Sequence, residues 1–547
     1  MKRSSGVLLS ITSLPGPYGI GTLGRSAYEF TDFLVKAGQR FWQILPLGPT
    51  SYGDSPYQSF STFAGNPYLI DPDMLIEDGL LKPEEVKDRE WGSEPRYVDY
   101  GKIYENRFDM LRLAAERGLP RDREAVDAFV RENEKWLPDY ALFMACKKHN
   151  GMRAWTEWPE DIRNRSGEAL ARCREEYRED IDFFTYVQYL FFKQWNKLRD
   201  YIHGKGIKII GDVPIYVAMD SADIWAEPQF FQLDSDGVPK EIAGVPPDPF
   251  TADGQLWGNP LYDWKHHRDT GYAWWISRMR RCSSLFDIVR IDHFRGFDQY
   301  YAIPADSADA RIGQWEEGPG IGLFRAIEKE IPGLTIIAED LGYITESVRQ
   351  LVRDTGYPNM KVLEFAFDSR DSSGRESYLP YNFDKNCVVY TGTHDNETLV
   401  GWLDHILPEE REEVRAFTGL DGAGGDPWAY DACEDAAGET GFCDAAARGT
   451  DLCAADACRD TACEDAVNDA GRDLETRRLA RAMVRAAMAS VGNLCVIPMQ
   501  DWLLLGDEAR INTPSTTGKN WVWRMDRGAA SPELAAQIRR MTRTYGR

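Results

Sequence analysis

The chain has 547 residues, 43% of them hydrophobic, and a formal charge of −24 at pH 7. That supplies a large core, and 17 Trp, 25 Tyr and 24 Phe leave rings to line a groove for flat, weakly polar ligands such as sugars. The acidic balance excludes nucleic acid and an anionic membrane surface as natural partners, and no segment reaches the roughly 18 consecutive apolar residues that span a bilayer.

Met1–Ile11 starts like a signal peptide, but its apolar stretch is too short and Pro15, Gly16, Pro17 and Gly19 then break it, so we expect a cytoplasmic protein. Scattered Cys146, Cys173, Cys282, Cys387 and Cys495 suit reduced core thiols. Short runs ended by polar residues and Gly read as buried parallel strands: Val7–Ile11, Phe41–Leu47, Ile207–Ile210, Asp287–Ile291, Leu334–Ala338, Lys361–Phe367, Cys387–Tyr390 and Leu494–Ile497. Stretches with apolar residues at three- and four-residue steps fall among them: Ala27–Ala37, Phe184–His203, Tyr272–Arg281, Gly322–Glu330, Thr345–Arg353 and Thr476–Ser490, with Pro532–Arg543 closing the chain. Repeated strand–helix alternation predicts an α/β fold, a (β/α)8 TIM barrel, with residues 1–547 forming one catalytic unit.

The connections are unequal. Residues 78–205 carry several helix-like runs and predict a largely helical subdomain inserted after the second strand. Residues 245–264 are rich in Pro, Gly and aromatics and lack helical or strand periodicity, which predicts an irregular lid loop on the active face. Residues 421–475 hold 15 acidic residues and 3 Arg, and so half of the net charge. That segment is Ala- and Gly-rich and cannot build a core of its own; an acidic flexible insertion is expected. Its Cys433, Cys443, Cys453, Cys458 and Cys463 form no C-x2-C pair and are odd in number, which disfavours a zinc site.

Three acids stand just past strand ends: Asp292, Glu339 and Asp395. In a parallel barrel such ends converge on one rim. Two carboxylates flanking a glycosidic bond can cleave it, one ionised as nucleophile and one protonated as acid. Arg290, two residues before Asp292 and on the same face of a strand, should keep Asp292 ionised. Glu339 follows an apolar run with no adjacent cation, so burial should raise its pKa, as a general acid/base requires. A retaining pair should stand about 5–5.5 Å apart. Asp395 would be the third acid, with His394 beside it as a donor to the same sugar ring.

At this point the chain resembles the amylomaltases, or 4-α-glucanotransferases, of glycoside hydrolase family 77 in the α-amylase clan, over about residues 5–420 and 476–525. The motifs are specific: Ser13–Thr22, Trp42–Leu47, Asp54–Gln58, Gly211–Val217, Pro247–Trp264, Val289–Gly296, Ala338–Gly342, Gly392–Thr398 and Pro498–Asp501. The resemblance implies Asp292 as nucleophile, Glu339 as acid/base and Asp395 as transition-state stabiliser. It implies that Arg290, Asp212 and His394 hold the sugar beside the scissile bond, Ser55, Tyr57, Gln255 and Trp257 are groove and lid contacts, and Asn512 is a contact from the Asn-Thr-Pro loop. A maltooligosaccharide or other α-1,4-glucan, such as glycogen or starch, would be donor and acceptor, with configuration retained and no metal or organic cofactor needed; the protein would be a monomer or homodimer. Family members run without a segment like 421–475.

A plain α-glucan hydrolase of the same clan, or a glucan-binding protein without chemistry, would share the groove; a binder needs no nucleophile. Three further signals read as structure: Asp234–Gly237 as a turn, His266 and His267 as surface, and Glu409–Glu413 as a solvated helix face.

Overall fold

The computed structural model describes residues 2–547 except 52, 248–250, 343, 371–374, 421–460 and 517, and the side chains of 461–472. The expected Cys-rich insertion therefore lies largely outside the described residues, as does part of the expected lid.

Twelve strands are described: β1 (Ser4–Leu8), β2 (Phe41–Gln43), β3 (Lys208–Pro214), β4 (Glu241–Val245), β5 (Gln255–Pro260), β6 (Ile288–Asp292), β7 (Gln299–Pro304), β8 (Gln314–Glu317), β9 (Thr335–Ala338), β10 (Asn359–Val362), β11 (Cys387–Tyr390) and β12 (Leu494–Pro498). Eight form a closed barrel in the order β1-β12-β11-β10-β9-β6-β3-β2, every described pairing parallel. Closure comes from β1 against β12, with Val7 opposite Ile497. Helices follow on the outside, from Arg25–Lys36 after β1 to Pro532–Thr544 at the end.

Alternation sorts the side chains into layers. Leu8, Phe41, Ile210, Ile288, Ile337, Met360, Val388 and Leu494 pack together as an apolar plug inside the barrel. Their outward neighbours Trp42, Ile209, Val289, Ile336, Val389 and Cys495 meet the helices. Two residues further along their strands, Gln43, Asp212 and Arg290 form with Tyr390 a buried polar layer at the mouth; Tyr390 Oη donates to Gln43 Oε1 at 2.8 Å. The site is therefore built on an apolar floor.

Three expectations change. The run Lys361–Phe367 leaves the barrel at Val362 and continues as a 3-10 helix, Leu363–Phe367. Within the expected lid loop, Gln255–Pro260 forms a strand: β5 lies antiparallel to β4 in a separate sheet of order β5-β4-β7-β8, with a register shift between Ile242 and Gly244. Period-two reading fails there because the strands are short, and β5 carries Gly258 at φ +73° and ends on Pro260. The Phe184–His203 signal is the end of a longer helix, Arg178–Gly204, which packs on Tyr100–Arg121 and Leu137–His149 between β2 and β3.

Two local readings also change. His267 is fully buried, its Nε2 beside Phe230 O at 3.1 Å, and burial lowers its pKa to about 4. Glu410 is buried too, accepting from the Leu407 and Ser369 amides at 2.9 and 2.8 Å, so the Glu409–Glu413 face is not uniformly solvated. Asp234 forms the expected turn, its Oδ1 accepting from the Asp236 and Val238 amides.

Gly211 on β3 faces the ring of Phe286: a Cβ there would lie 2.2 Å from Phe286 Cγ. Gly211→Ala should therefore destabilise the protein by about 1–3 kcal/mol through forced displacement of that ring. A lowered urea midpoint with unchanged slope is the expected result; an unaltered midpoint would mean that the strand yields freely.

Candidate active site

Strand β6 delivers Arg290 and Asp292 to one face of the barrel mouth because residues i and i+2 point the same way. Arg290 is buried, and its register partner on β3 is Asp212. The Arg290 Nη1 donates to both Asp212 oxygens at 2.8 and 2.7 Å, while Nη2 lies 2.9 Å from Asp292 Oδ1. The guanidinium thus bridges a fully covered carboxylate and one whose side chain is 28% exposed to the cleft. Asp212 also accepts from Tyr57 Oη at 3.0 Å, and the Tyr57 ring stacks on His394 at 5.2 Å with a 9° interplanar angle.

On the other flank of β6, Ile291 is in register with Ala338 of β9 and accepts from the Glu339 amide at 3.2 Å. Asp292 ends β6 and Glu339 follows the last residue of β9, so the two come next after a paired position on neighbouring strands. Glu339 is buried and its carboxylate accepts from two amides, His293 at 2.6 Å and Leu341 at 2.8 Å. His293 holds its amide there in the left-handed region, φ +54°, an unusual state for a non-glycine residue.

Asp395 comes from the loop after β11. Asn512 Nδ2 donates to its Oδ1 at 2.6 Å, and His394 Nε2 lies 3.3 Å from its Oδ2. The loop is pinned at its end by Asp501, which accepts from the Leu399 amide at 2.9 Å and from the Thr391 hydroxyl. Gln255 and Trp257 stand on β5, above the mouth, where Trp257 Nε1 donates to Gln255 Oε1 at 3.1 Å. The Trp257 ring meets His293 edge-on at 4.7 Å. Gln58, next to Tyr57, donates to Trp257 O at 3.5 Å and Asn259 Oδ1 at 3.2 Å, tying this sheet to the Tyr57 loop. Ser55 caps the Tyr57 amide at 3.2 Å within that loop and makes no described contact with the three acids.

The electrostatics differ from the sequence expectation in one respect. Burial, with the Asp292 charge second, pushes Glu339 up, as expected. Asp292 is also raised, not lowered: burial outweighs the pull of Arg290, and Asp212 and Asp395 add to the rise. Arg290 opposes the rise at both, and of the two only Asp292 is in contact with it. Burial pushes His293 down to about 3, so its imidazole is neutral.

Two residues of this neighbourhood escaped the sequence reading. One is His293, whose signal was only adjacency to Asp292. The other is Arg510, two residues before Asn512, whose Nη2 donates to Asp395 O at 3.1 Å. Among the described residues, Glu397, His405 and Asp507 bring ligand-type atoms within 4.8 Å of one another, a spacing that suits a metal ion. Those atoms already pair internally, His405 Nδ1 with Glu397 Oε1 at 2.7 Å.

Comparison with known proteins places this geometry. A family model described as 4-alpha-glucanotransferase matches residues 9–530. A 4-alpha-glucanotransferase of Clostridium butyricum is 42% identical over 541 residues, covering 98% of this chain and all of the relative. One from Streptococcus pneumoniae serotype 4 is 44% identical over 549 residues, covering 100% and 98%. The solved amylomaltase of Streptococcus agalactiae in complex with acarbose superposes with TM-score 0.87 at 39% identity, over 100% of both chains.

Removing the Asp292 charge takes away the second-largest cause of the Glu339 rise. In Asp292→Asn the Glu339 titration should therefore move to lower pH, by on the order of one unit. Infrared detection of the protonated carboxyl, assigned with Glu339→Gln, measures it; an unmoved midpoint would show that the two charges do not interact.

Proposed function

We propose a division of labour within this site on the footing that the chain belongs to the 4-alpha-glucanotransferase family, glycoside hydrolase family 77. Its activity is the transfer of an α-glucan segment from one glucan to another. Asp292 is the nucleophile, Glu339 the acid/base and Asp395 the stabiliser of the cationic transition state. The observation that carries the reading is the placement of Asp292 at the end of β6 and Glu339 just past the end of adjacent β9, with Asp292 the one of the two paired with Arg290.

The steps follow. Glu339, held protonated by burial, gives its proton to the glycosidic oxygen as that bond breaks. Asp292 bonds to the anomeric carbon, giving a covalent glucosyl ester with inverted configuration. Glu339, now ionised, takes the proton from the 4-hydroxyl of the acceptor, which displaces Asp292 and restores the original configuration. Arg290 and Asp212 form the fixed wall beside this sugar, continued by Tyr57 and His394; Ser55 and Asn512 extend the contacts. Donor and acceptor are maltooligosaccharides or longer α-1,4-glucans. The helical block at 78–205 is an insertion on the barrel, and the five described buried, unpaired cysteines suit a cytoplasmic setting.

Transfer has to outrun water, present at about 55 M, so the acceptor must be bound and oriented while solvent is kept out. Gln255 and Trp257 on β5 serve as that cover. Maltotriose alone should yield glucose and a ladder of longer maltodextrins; a hydrolase would give glucose and maltose without the ladder, and a binding protein would leave the sugar intact. Asp292→Ala, Glu339→Gln and Asp395→Asn should each lower transfer by at least about a thousandfold. A variant that kept the ladder near the wild-type rate would remove that residue from its role. Trp257→Ala should raise hydrolysis relative to transfer, read as reducing ends released per transfer event; an unchanged ratio would refute the cover role.

A further inference from the structure

We propose that Arg510 is a positioning residue for transfer, setting where Asp395 and Asn512 stand relative to the reacting sugar. The inference rests on the stabiliser role of Asp395. Its basis is a single guanidinium that touches the backbone of both residues: Nε donates to Asn512 O at 2.9 Å and Nη2 to Asp395 O at 3.1 Å. The third nitrogen, Nη1, lies 3.7 Å from Glu397 Oε1. Asn512 then closes the figure twice, donating its amide to His394 O at 3.1 Å and its side chain to Asp395 Oδ1 at 2.6 Å.

The arrangement fastens two loops that no strand pairing joins. One follows β11 and carries His394 and Asp395; the other follows β12 and carries Asn512. Asp507, at the start of the second loop, accepts from the Thr398 amide at 3.2 Å, and His405 stands between Glu397 and Asp507 at 2.7 and 3.5 Å. Glu397 thus holds the guanidinium from behind while His405 holds Glu397. Asp395 itself is 41% exposed on its side chain, so the cleft does little to confine it. Asn512 Nδ2 holds the side chain, and the guanidinium holds the backbone of both residues.

A planar fork of donors at set angles matches two carbonyls and a carboxylate; a lysine ammonium keeps the charge and loses the fork. Displacing a stabilising group by about 1 Å typically costs on the order of a hundredfold in rate. The loss should fall on the transition state and spare ground-state binding.

The test compares Arg510→Lys, Arg510→Ala and Glu397→Gln in the full chain with maltotriose, reading kcat, KM and the thermal midpoint. Arg510→Lys should lower kcat roughly 10- to 100-fold with KM within about twofold, the loss expected for broken charge-assisted hydrogen bonds. Millimolar guanidinium should restore part of the rate in Arg510→Ala and none in Asp395→Asn, since the Arg510 side chain is 21% exposed and its place is reachable. Glu397→Gln should lower kcat by a smaller factor, and it keeps the inference testable if Arg510→Ala does not fold. Wild-type kcat in Arg510→Lys, or a loss that follows only the folded fraction with no guanidinium rescue, overturns the inference. If Asp395→Asn itself keeps its activity, the stabiliser assignment fails instead.

Discussion

One cation buried in the barrel mouth organises this molecule. Arg290 lies above an apolar plug and is itself almost wholly covered. Taking a guanidinium out of water costs several kcal/mol, and only close carboxylates offset it. Asp212 is supplied by the neighbouring strand and Asp292 by the next inward position of the same strand. Register alone therefore decides that the cation is paired on two sides. A one-residue slip of β6 would turn Arg290 into the helices and leave Asp212 buried without its cation. The remaining contacts depend on this pair, since Tyr57 is held by Asp212 and His394 is stacked on Tyr57.

The same burial that makes the cation expensive also separates the two acids. Both carboxyls resist ionisation in this setting, but the resistance is unequal because Arg290 sits against one of them. The Glu339 carboxylate is in turn placed by two amides, and one of these requires His293 in a left-handed conformation costing about 1–3 kcal/mol. Strain at that position is the counterpart of order at Glu339: relaxing φ would swing the amide away from its carboxylate.

Most of the barrel was legible in the sequence because parallel strands buried on both faces read as apolar runs whatever surrounds them. All eight runs contribute strands, although Lys361–Phe367 bends into a 3-10 helix after Val362. The second sheet was not legible. Its members Gln255–Pro260 and Gln314–Glu317 carry polar residues, Gly and Pro, and are defined by their partners more than by their own pattern. In the site, residue types and spacing gave the Arg290–Asp292 contact, and burial of Glu339 could be inferred from its strand. The sign of the shift at Asp292 could not, because it depends on how deep the barrel mouth lies and on Asp212 and Asp395 arriving from elsewhere. Arg510 was missed for a similar reason: its partners are backbone carbonyls, which leave no trace in a sequence.

Strand β5 and the carboxylate site are in continuous contact. Trp257 belongs to β5, whose sheet includes β7, and β7 begins seven residues after Asp292 at the end of β6. The indole meets the His293 ring edge-on, and the amide of that same residue donates to Glu339. Gln58 fixes the same strand to the loop that presents Tyr57 to Asp212. A displacement of β5 would therefore be transmitted along two short paths, one to Glu339 and one to the Arg290–Asp212 pair beside Asp292. Under the proposed transfer reaction, in which an acceptor sugar must enter and water must not, such contacts would link solvent exclusion to the electrostatics of the carboxylates.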